Sequence, residues 1–208
     1  YSARIEFNSN FEVILNGETI KSKHIFNSSG TYALQLANKL GTGHEYSLLP
    51  VLGLYRKTFA TNLPIKTLIY PVPNPDQPFL GSHFTLTTDK YVKIGPTAIP
   101  VLGREQYKIA SKIGKEDIFN SARALLSLSK NSNSRLFPTA FQEFKNLSIQ
   151  HVLNSASQLV PGVREVQKWD YSRAGIRAQL VNLNTGNFEQ DFVIRQTPGV
   201  THILNTVS

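Results

Sequence analysis

Apolar and polar positions alternate at the start of the chain: Ala3, Ile5 and Phe7, then Phe11, Val13 and Leu15, with Asn8-Ser9-Asn10 between the runs and Asn16-Gly17 behind them. A period of two puts successive side chains on opposite faces of a strand, and Asn-Gly favours a two-residue hairpin turn, so a hairpin or meander is predicted here. A third strand over 23–27 runs into Ser28-Ser29-Gly30, after which Ala33, Leu36, Ala37 and Leu40 recur at helical spacing until Gly41. A small-residue turn ahead of a helix lets the backbone approach an anionic ligand closely; a plain strand-to-helix connection uses the same pieces.

The stretch 48–59 reads as one long strand interrupted by Pro50 and Gly53, the glycine marking a bulge or the close approach of another group, with Tyr55 and Arg56 directly behind it. Pro71, Pro73, Pro75 and Pro78 then exclude helix and interior strand. Beyond them Leu80, Ser82, Phe84 and Leu86 fall on one face of a strand and Gly81, His83, Thr85 and Thr87 on the other; a turn at Asp89-Lys90 leads to a partner strand over 91–94. Residues 97–107 read as an edge strand and loop. A helix is predicted over 116–130 with Ile118, Ala122, Leu125 and Leu126 inward and Phe119 beside them. A longer one follows, burying Phe141, Phe144, Ile149, Val152, Leu153, Ala156 and Leu159 and ending at Pro161-Gly162. His151 on that helix reads as a surface or packing residue, and Trp169 as a core or interface anchor. The strand 176–183 turns at 184–187 and is expected to return as 191–194; a last strand covers 201–205. The sum is an α+β fold, a mixed but mainly antiparallel sheet with two or three helices on one face.

Composition narrows the chemistry. With 208 residues the chain can bury a sizeable core; no apolar run has the length of a membrane helix, and no signal-peptide pattern opens it. Absence of cysteine removes disulfides, thiol nucleophiles and thiolate metal sites. His24, His44, His83, His151 and His202 are too far apart in sequence for a metal-ligand pair, so no metal site is expected, and there is no Gly-x-Ser-x-Gly elbow. The net charge of +8 is scattered. It fits a solvated basic surface or a field that draws in a dianionic substrate, whereas nucleic acid is disfavoured because aromatics do not interleave with basic clusters. An opening Tyr1 suggests a fragment or a processed segment.

Five segments in order carry a resemblance: IFNSSGTYALQLANKLG, LLPVLGLYRK, YPVPNPDQPFLGSHFT with VKIGPTAIPVLGREQY, AGIRAQ and THILNTVS. Together they resemble the L-2-hydroxyglutarate oxidase/dehydrogenase family, FAD-dependent enzymes of the glycine oxidase and D-amino-acid oxidase superfamily. The Gly-x-Gly-x-x-Gly fingerprint that opens those enzymes does not occur here. The resemblance thus implies a fragment, with 1–46 from the FAD-binding domain, 47–175 the substrate-binding domain and 176–208 a return towards the FAD-binding domain. It further implies FAD as cofactor of the intact enzyme, a small anionic 2-hydroxy acid as substrate, an inactive isolated fragment, and a location in the cytoplasm or peripheral to the inner face of a membrane. The electron acceptor carries no signal in the chain.

Oxidising a 2-hydroxy acid needs a cation for the carboxylate, a base for the hydroxyl proton and a positioned hydride acceptor. By the resemblance, Arg177 in AGIRAQ is the carboxylate fork and His83 in GSHFT the base, with Tyr55 and Thr85 as substrate contacts and Ser29 and Gly30 beside FAD. Lys93 on the neighbouring strand offers charge for a second carboxylate. Read without the resemblance, Arg177 is a structural arginine pairing with Asp170 or Asp191, and His83 a hydrogen-bonded sheet histidine. Two alternatives stay open: a superfamily oxidase of an amino acid or glycerol 3-phosphate, and a non-catalytic basic binding module.

Overall fold

A computed structural model describes residues 5–7, 12–15, 18–72, 81–108, 111–131 and 145–205. Strands β1 (Ile5–Phe7), β2 (Glu12–Leu15) and β3 (Glu18–Lys21) form the expected antiparallel meander. Its third member is 18–21; the strand expected over 23–27 is the separate β4 (Ile25–Asn27), in another sheet.

Two four-stranded sheets form the middle of the molecule. In one, β5 (Tyr46–Gly53) and β11 (Gly175–Asn182) pair antiparallel along their whole length, with Gly53 opposite Gly175 and Tyr46 opposite Asn182. The short strands β9 (Ile99–Pro100) and β12 (Asn187–Phe188) form its edges. In the other, β6 (Arg56–Phe59), β7 (His83–Leu86), β8 (Tyr91–Gly95) and β10 (Asp170–Tyr171) are ordered β10-β6-β8-β7. The single strand expected over 48–59 is therefore two strands in two sheets. The break falls at Leu54, whose N–H donates to Thr97 Oγ1 (3.0 Å) and whose carbonyl accepts from Thr97 N–H (3.1 Å), so Thr97 replaces a ladder partner. The close approach expected at Gly53 is real: a Cβ there would lie 2.9 Å from Pro96 Cβ.

The remaining sheet joins β13 (Val193–Thr197), β14 (Val200–Asn205) and β4, with β14 antiparallel to β13 and parallel to β4. This corrects the expected hairpin of 176–183 with 191–194. Only β12 returns along β11, and the chain then leaves for β14. Asn205 makes that departure stable, its side-chain amide donating to the carbonyls of Asp191 (2.7 Å) and Glu189 (3.3 Å). Pairing is thus mainly antiparallel within a mixed α+β fold, as expected, and is distributed over separate small sheets rather than one large one.

Helix α1 (Ala33–Lys39) follows a 3-10 turn at Gly30–Tyr32 and buries Ala33, Leu34 and Ala37 against Leu48, Leu180, Val193 and Leu204. Helix α2 (Lys115–Lys130) spans the predicted residues but turns a different face inward. Ser121, Ala124, Ser127 and Leu128 are buried, while Ile118, Phe119 and Leu126 are 45%, 62% and 62% exposed and Ala122 is exposed too. Small residues let the helix lie close to the sheet, and the serine hydroxyls reach backbone acceptors: Ser121 Oγ donates to Leu102 O (2.9 Å) and Ser127 Oγ to Leu183 O (3.1 Å). Helix α3 (Ile149–Ala156) is the described part of the longer helix expected; Phe141 and Phe144 lie outside the described residues. Its Val152, Leu153 and Ala156 are buried as expected, against Phe84, Val92 and Ile94, with Trp169 packed at the rim of that cluster. Among the described residues no helix is long and apolar enough to cross a membrane.

Gly95 closes β8 where the two central sheets meet, at φ +140°, and a Cβ there would lie 2.7 Å from Leu54 O and 3.0 Å from the Tyr55 ring. Adding one combines backbone strain with overpacking, so Gly95→Ala is expected to cost about 2–4 kcal/mol, read as a lower urea midpoint at unchanged slope.

Candidate functional site

His83 and Thr85 lie on the face of their sheet turned away from α3. Phe84 between them is fully buried against that helix, and pairing across β7 and β8 sets His83 opposite Gly95 and Thr85 opposite Lys93. The polar face read from the sequence is therefore the one that leaves His83, Thr85 and Lys93 half-buried and, among the described residues, without a covering helix. The His83 ring stacks on Tyr70, with centroids 4.3 Å apart and planes 25° from parallel. Its Nδ1 lies 3.3 Å from the Gly81 carbonyl, which can only accept, so the proton sits on Nδ1 and the lone pair on Nε2. Burial lowers the pKa of the imidazole from its ordinary value, with a smaller opposing pull from the Gly81 carbonyl. At neutral pH the ring is uncharged and offers Nε2 as a base.

Tyr55 sits over Gly95, the residue opposite His83, in the gap that the missing Cβ leaves open. Burial raises its phenol above the ordinary range, helped by Tyr70, so the hydroxyl stays protonated and can donate. Tyr70 is the member of this group that sequence reasoning missed. It stood in an apolar run ahead of the prolines, and nothing in that run signals a ring stacked on a histidine from another segment.

Arg177 lies on the other central sheet, opposite Val51 on β5. Two positions earlier Gly175 faces Gly53, Gly53 abuts Pro96, and Gly95 faces His83, so a seam poor in side chains joins the arginine strand to the histidine strand. The guanidinium is half-buried, and desolvation lowers its pKa without discharging it. Asp170, one of the acids considered for it, is paired with Lys168 (3.8 Å). Asp191 uses its carboxylate to accept from Phe192 N–H (2.7 Å).

A cavity of about 420 Å³ lies elsewhere, between α1, β5 and α2, and none of His83, Thr85, Tyr55 or Arg177 lines it. On its wall Arg104 pairs with Asp117 and Glu116 and donates to Gln35 Oε1 (2.8 Å). The seam is therefore separate from this cavity. Among the described residues no group of His, Asp and Glu could hold a metal ion.

A profile of FAD-dependent oxidoreductases (the DAO family) matches residues 3–206. The chain belongs to that family. It is 31% identical over 189 residues to an L-2-hydroxyglutarate dehydrogenase of Indibacter alkaliphilus, covering 88% of this chain and 46% of that protein. It is likewise 31% identical over 214 residues to a mitochondrial L-2-hydroxyglutarate dehydrogenase of Nematostella vectensis, covering 93% and 43%. The chain thus spans less than half the length of these relatives. Among solved structures, glycine oxidase from Bacillus cereus is similar at a TM-score of 0.52 and 12% identity, over 98% of this chain and 43% of the other. A glycerol-3-phosphate dehydrogenase from Bacillus halodurans, solved with FAD, follows at 0.50 and 15%, over 98% and 34%. At these identities the likeness establishes a DAO-type fold.

How this DAO-family chain could meet FAD is tested at the turn 28–30. Gly30 has φ +57° and nothing within 4 Å of the position a Cβ would take, and Ser28, Ser29 and Gly30 are all exposed. The turn fits a group approaching from outside at Gly30. Ser29 donates its hydroxyl hydrogen inward to Asn27 Oδ1 (2.7 Å), so towards a ligand it offers acceptor lone pairs. Asn27 in turn donates to Ala33 O (2.8 Å) and to Nδ1 of His202 (2.9 Å), whose Nε2 lies 3.3 Å from Thr197 Oγ1. A histidine from the last strand therefore holds the turn in place, a link that no local pattern in the sequence contains.

His202 has 0% exposure and its pKa is lowered by burial. The unfolded chain therefore binds a proton at His202 at a higher pH than the folded one. Stability attributable to this residue is complete above about pH 6.5 and falls as pH drops below it. The urea midpoint is expected to decline from pH 7 to 5 in the wild type. His202→Gln should be less stable by about 1–3 kcal/mol at pH 7, and its midpoint should decline less over the same range.

Proposed function

We propose that the intact protein carrying this chain is an FAD-dependent oxidoreductase that converts a 2-hydroxy acid, 2-hydroxyglutarate in type, into the 2-oxo acid. The observation that carries this reading is the setting of His83: Nδ1 held at 3.3 Å by Gly81 O and the ring stacked on Tyr70, on a sheet face that no helix among the described residues covers. L-2-hydroxyglutarate dehydrogenases as relatives support it.

In this reading Arg177 binds the C1 carboxylate through its planar fork, which donates to both oxygens at once. His83 Nε2 takes the proton of the C2 hydroxyl. Tyr55, kept protonated by its surroundings, donates a hydrogen bond that orients the substrate, and Thr85 adds a hydroxyl one strand step further on. Ser29 and Gly30 lie at the edge of the FAD site. When bound, FAD supplies the acceptor for the hydride that leaves C2. The domains divide as 1–46, 47–175 and 176–208, with β11 and β5 stitching the last two together. The protein works in the cytoplasm or at the inner face of a membrane.

Two measurements on the intact FAD-loaded protein test this. Because His83 acts as the neutral base and its pKa is depressed, kcat/KM should rise with pH to a plateau, with the midpoint of the rise below the ordinary imidazole value of about 6.5. His83→Asn should lower kcat about 10²- to 10⁴-fold and abolish that rise; a variant with wild-type kcat removes His83 from the reaction. Arg177→Met should raise KM for 2-hydroxy acids by about 10- to 100-fold, and an unchanged KM removes the arginine from the site. Turnover of 2-amino acids or glycerol 3-phosphate but no 2-hydroxy acid overturns the substrate class.

A further inference from the structure

On the face of the His83 sheet turned away from α3, two lysines stand directly opposite each other: Lys57 on β6 and Lys93 on β8. Like charges in this cross-strand position repel, and a sheet keeps such a pair only where something else balances it. Lys57 has other company. Its Nζ lies 4.2 Å from the centre of the Tyr91 ring, and its neighbour on the far side is Asp170. Lys93 sits between that lysine and the neutral hydroxyl of Thr85, half-buried, and makes no ion pair among the described residues. The acid whose charge it senses is Asp89, at the exposed tip of the β7–β8 hairpin.

Position along the seam gives this cation a use. From Arg177 the path runs through Gly175 and Gly53 to Pro96 and Gly95, then to His83, and one strand repeat further to Thr85 and Lys93. A carboxylate fork, a base and a lone ammonium follow one another in that order. A repeat of two residues along a strand is about 6.5–7 Å, and the flexible four-carbon stem of lysine takes up differences in reach. The order of these groups is that of a C1 carboxylate, a C2 hydroxyl and a terminal carboxylate along a short chain.

We infer that Lys93 is a specificity-determining residue that binds the second carboxylate of a dicarboxylic 2-hydroxy acid. This rests on the oxidoreductase reading above and adds a preference for dianionic over monoanionic substrates of equal chain length. An anion beside Lys93 also relieves its repulsion with Lys57.

The test compares 2-hydroxyglutarate with 2-hydroxypentanoate, which keeps the chain and lacks the second carboxylate, in the intact FAD-loaded protein. Lys93→Met is expected to raise KM for 2-hydroxyglutarate about 10- to 100-fold, to leave that for 2-hydroxypentanoate within about twofold, and to be rescued by Lys93→Arg. Thermal shifts give a second readout independent of turnover: glutarate should stabilise the wild type more than pentanoate does, and Lys93→Met should erase the difference. Equal effects on both substrates, no effect on either, or an unaltered glutarate shift overturn the assignment of Lys93. A wild type that oxidises neither compound and is stabilised by neither acid overturns the oxidoreductase reading itself, so the two failures are distinguishable.

Discussion

Everything around the candidate site depends on how closely two sheets approach. Side chains normally keep neighbouring backbones apart, and here three glycines remove them at the junction. Gly53 admits Pro96, Gly95 admits Leu54 and the Tyr55 ring, and Gly175 completes the β5–β11 ladder opposite Gly53. The chain can then pass from one sheet to the other within Leu54 and Tyr55 and still satisfy its backbone, because Thr97 supplies both a hydroxyl acceptor and an amide donor at Leu54. The arginine strand and the histidine strand are thus linked through backbone contacts at Gly53, Pro96 and Gly95.

Polar side chains hold the outer pieces to this junction. Arg195 on β13 donates to Glu45 (2.9 Å) and to the Tyr46 hydroxyl (2.6 Å), tying the β13–β14 sheet to the start of β5. Arg104 and Glu116 reach Gln35 on α1, and Tyr32 donates to Glu105 (2.7 Å). Exposed pairs contribute little each, but those at Arg104 and Asp117 are largely shielded from water and shared among several groups, the setting in which such contacts fix geometry.

The sequence was most legible where period and turn chemistry act locally. Alternation over 83–86 separated His83 and Thr85 from Phe84, and the structure keeps that separation; small residues and Gly41 delimited α1. It was least legible where tertiary context overrides pattern. On α2 Ile118, Ala122 and Leu126 face outward while Leu125 packs inward, because Ser121 and Ser127 find backbone acceptors at Leu102 and Leu183 and their small volume admits the helix. The strand over 48–59 reads as continuous, since neither Pro50 nor Gly53 announces that Thr97 will intercept Leu54. The strand at 191–194 sits where a hairpin partner is expected, yet Asn205 claims the carbonyls on its approach. At the site, His83 and Tyr55 were named through family likeness, whereas the Tyr70 stack and the His202 link unite segments far apart in the chain.

That last link has a temporal side. Asn27 and His202 are 175 positions apart, and β4 gains its neighbour only when β14 exists. Contacts of such long range form late and slowly. During synthesis the turn at Gly30 must wait, unanchored, until nearly the whole of this segment has left the ribosome, so any cofactor contact made there belongs to the end of maturation rather than its beginning.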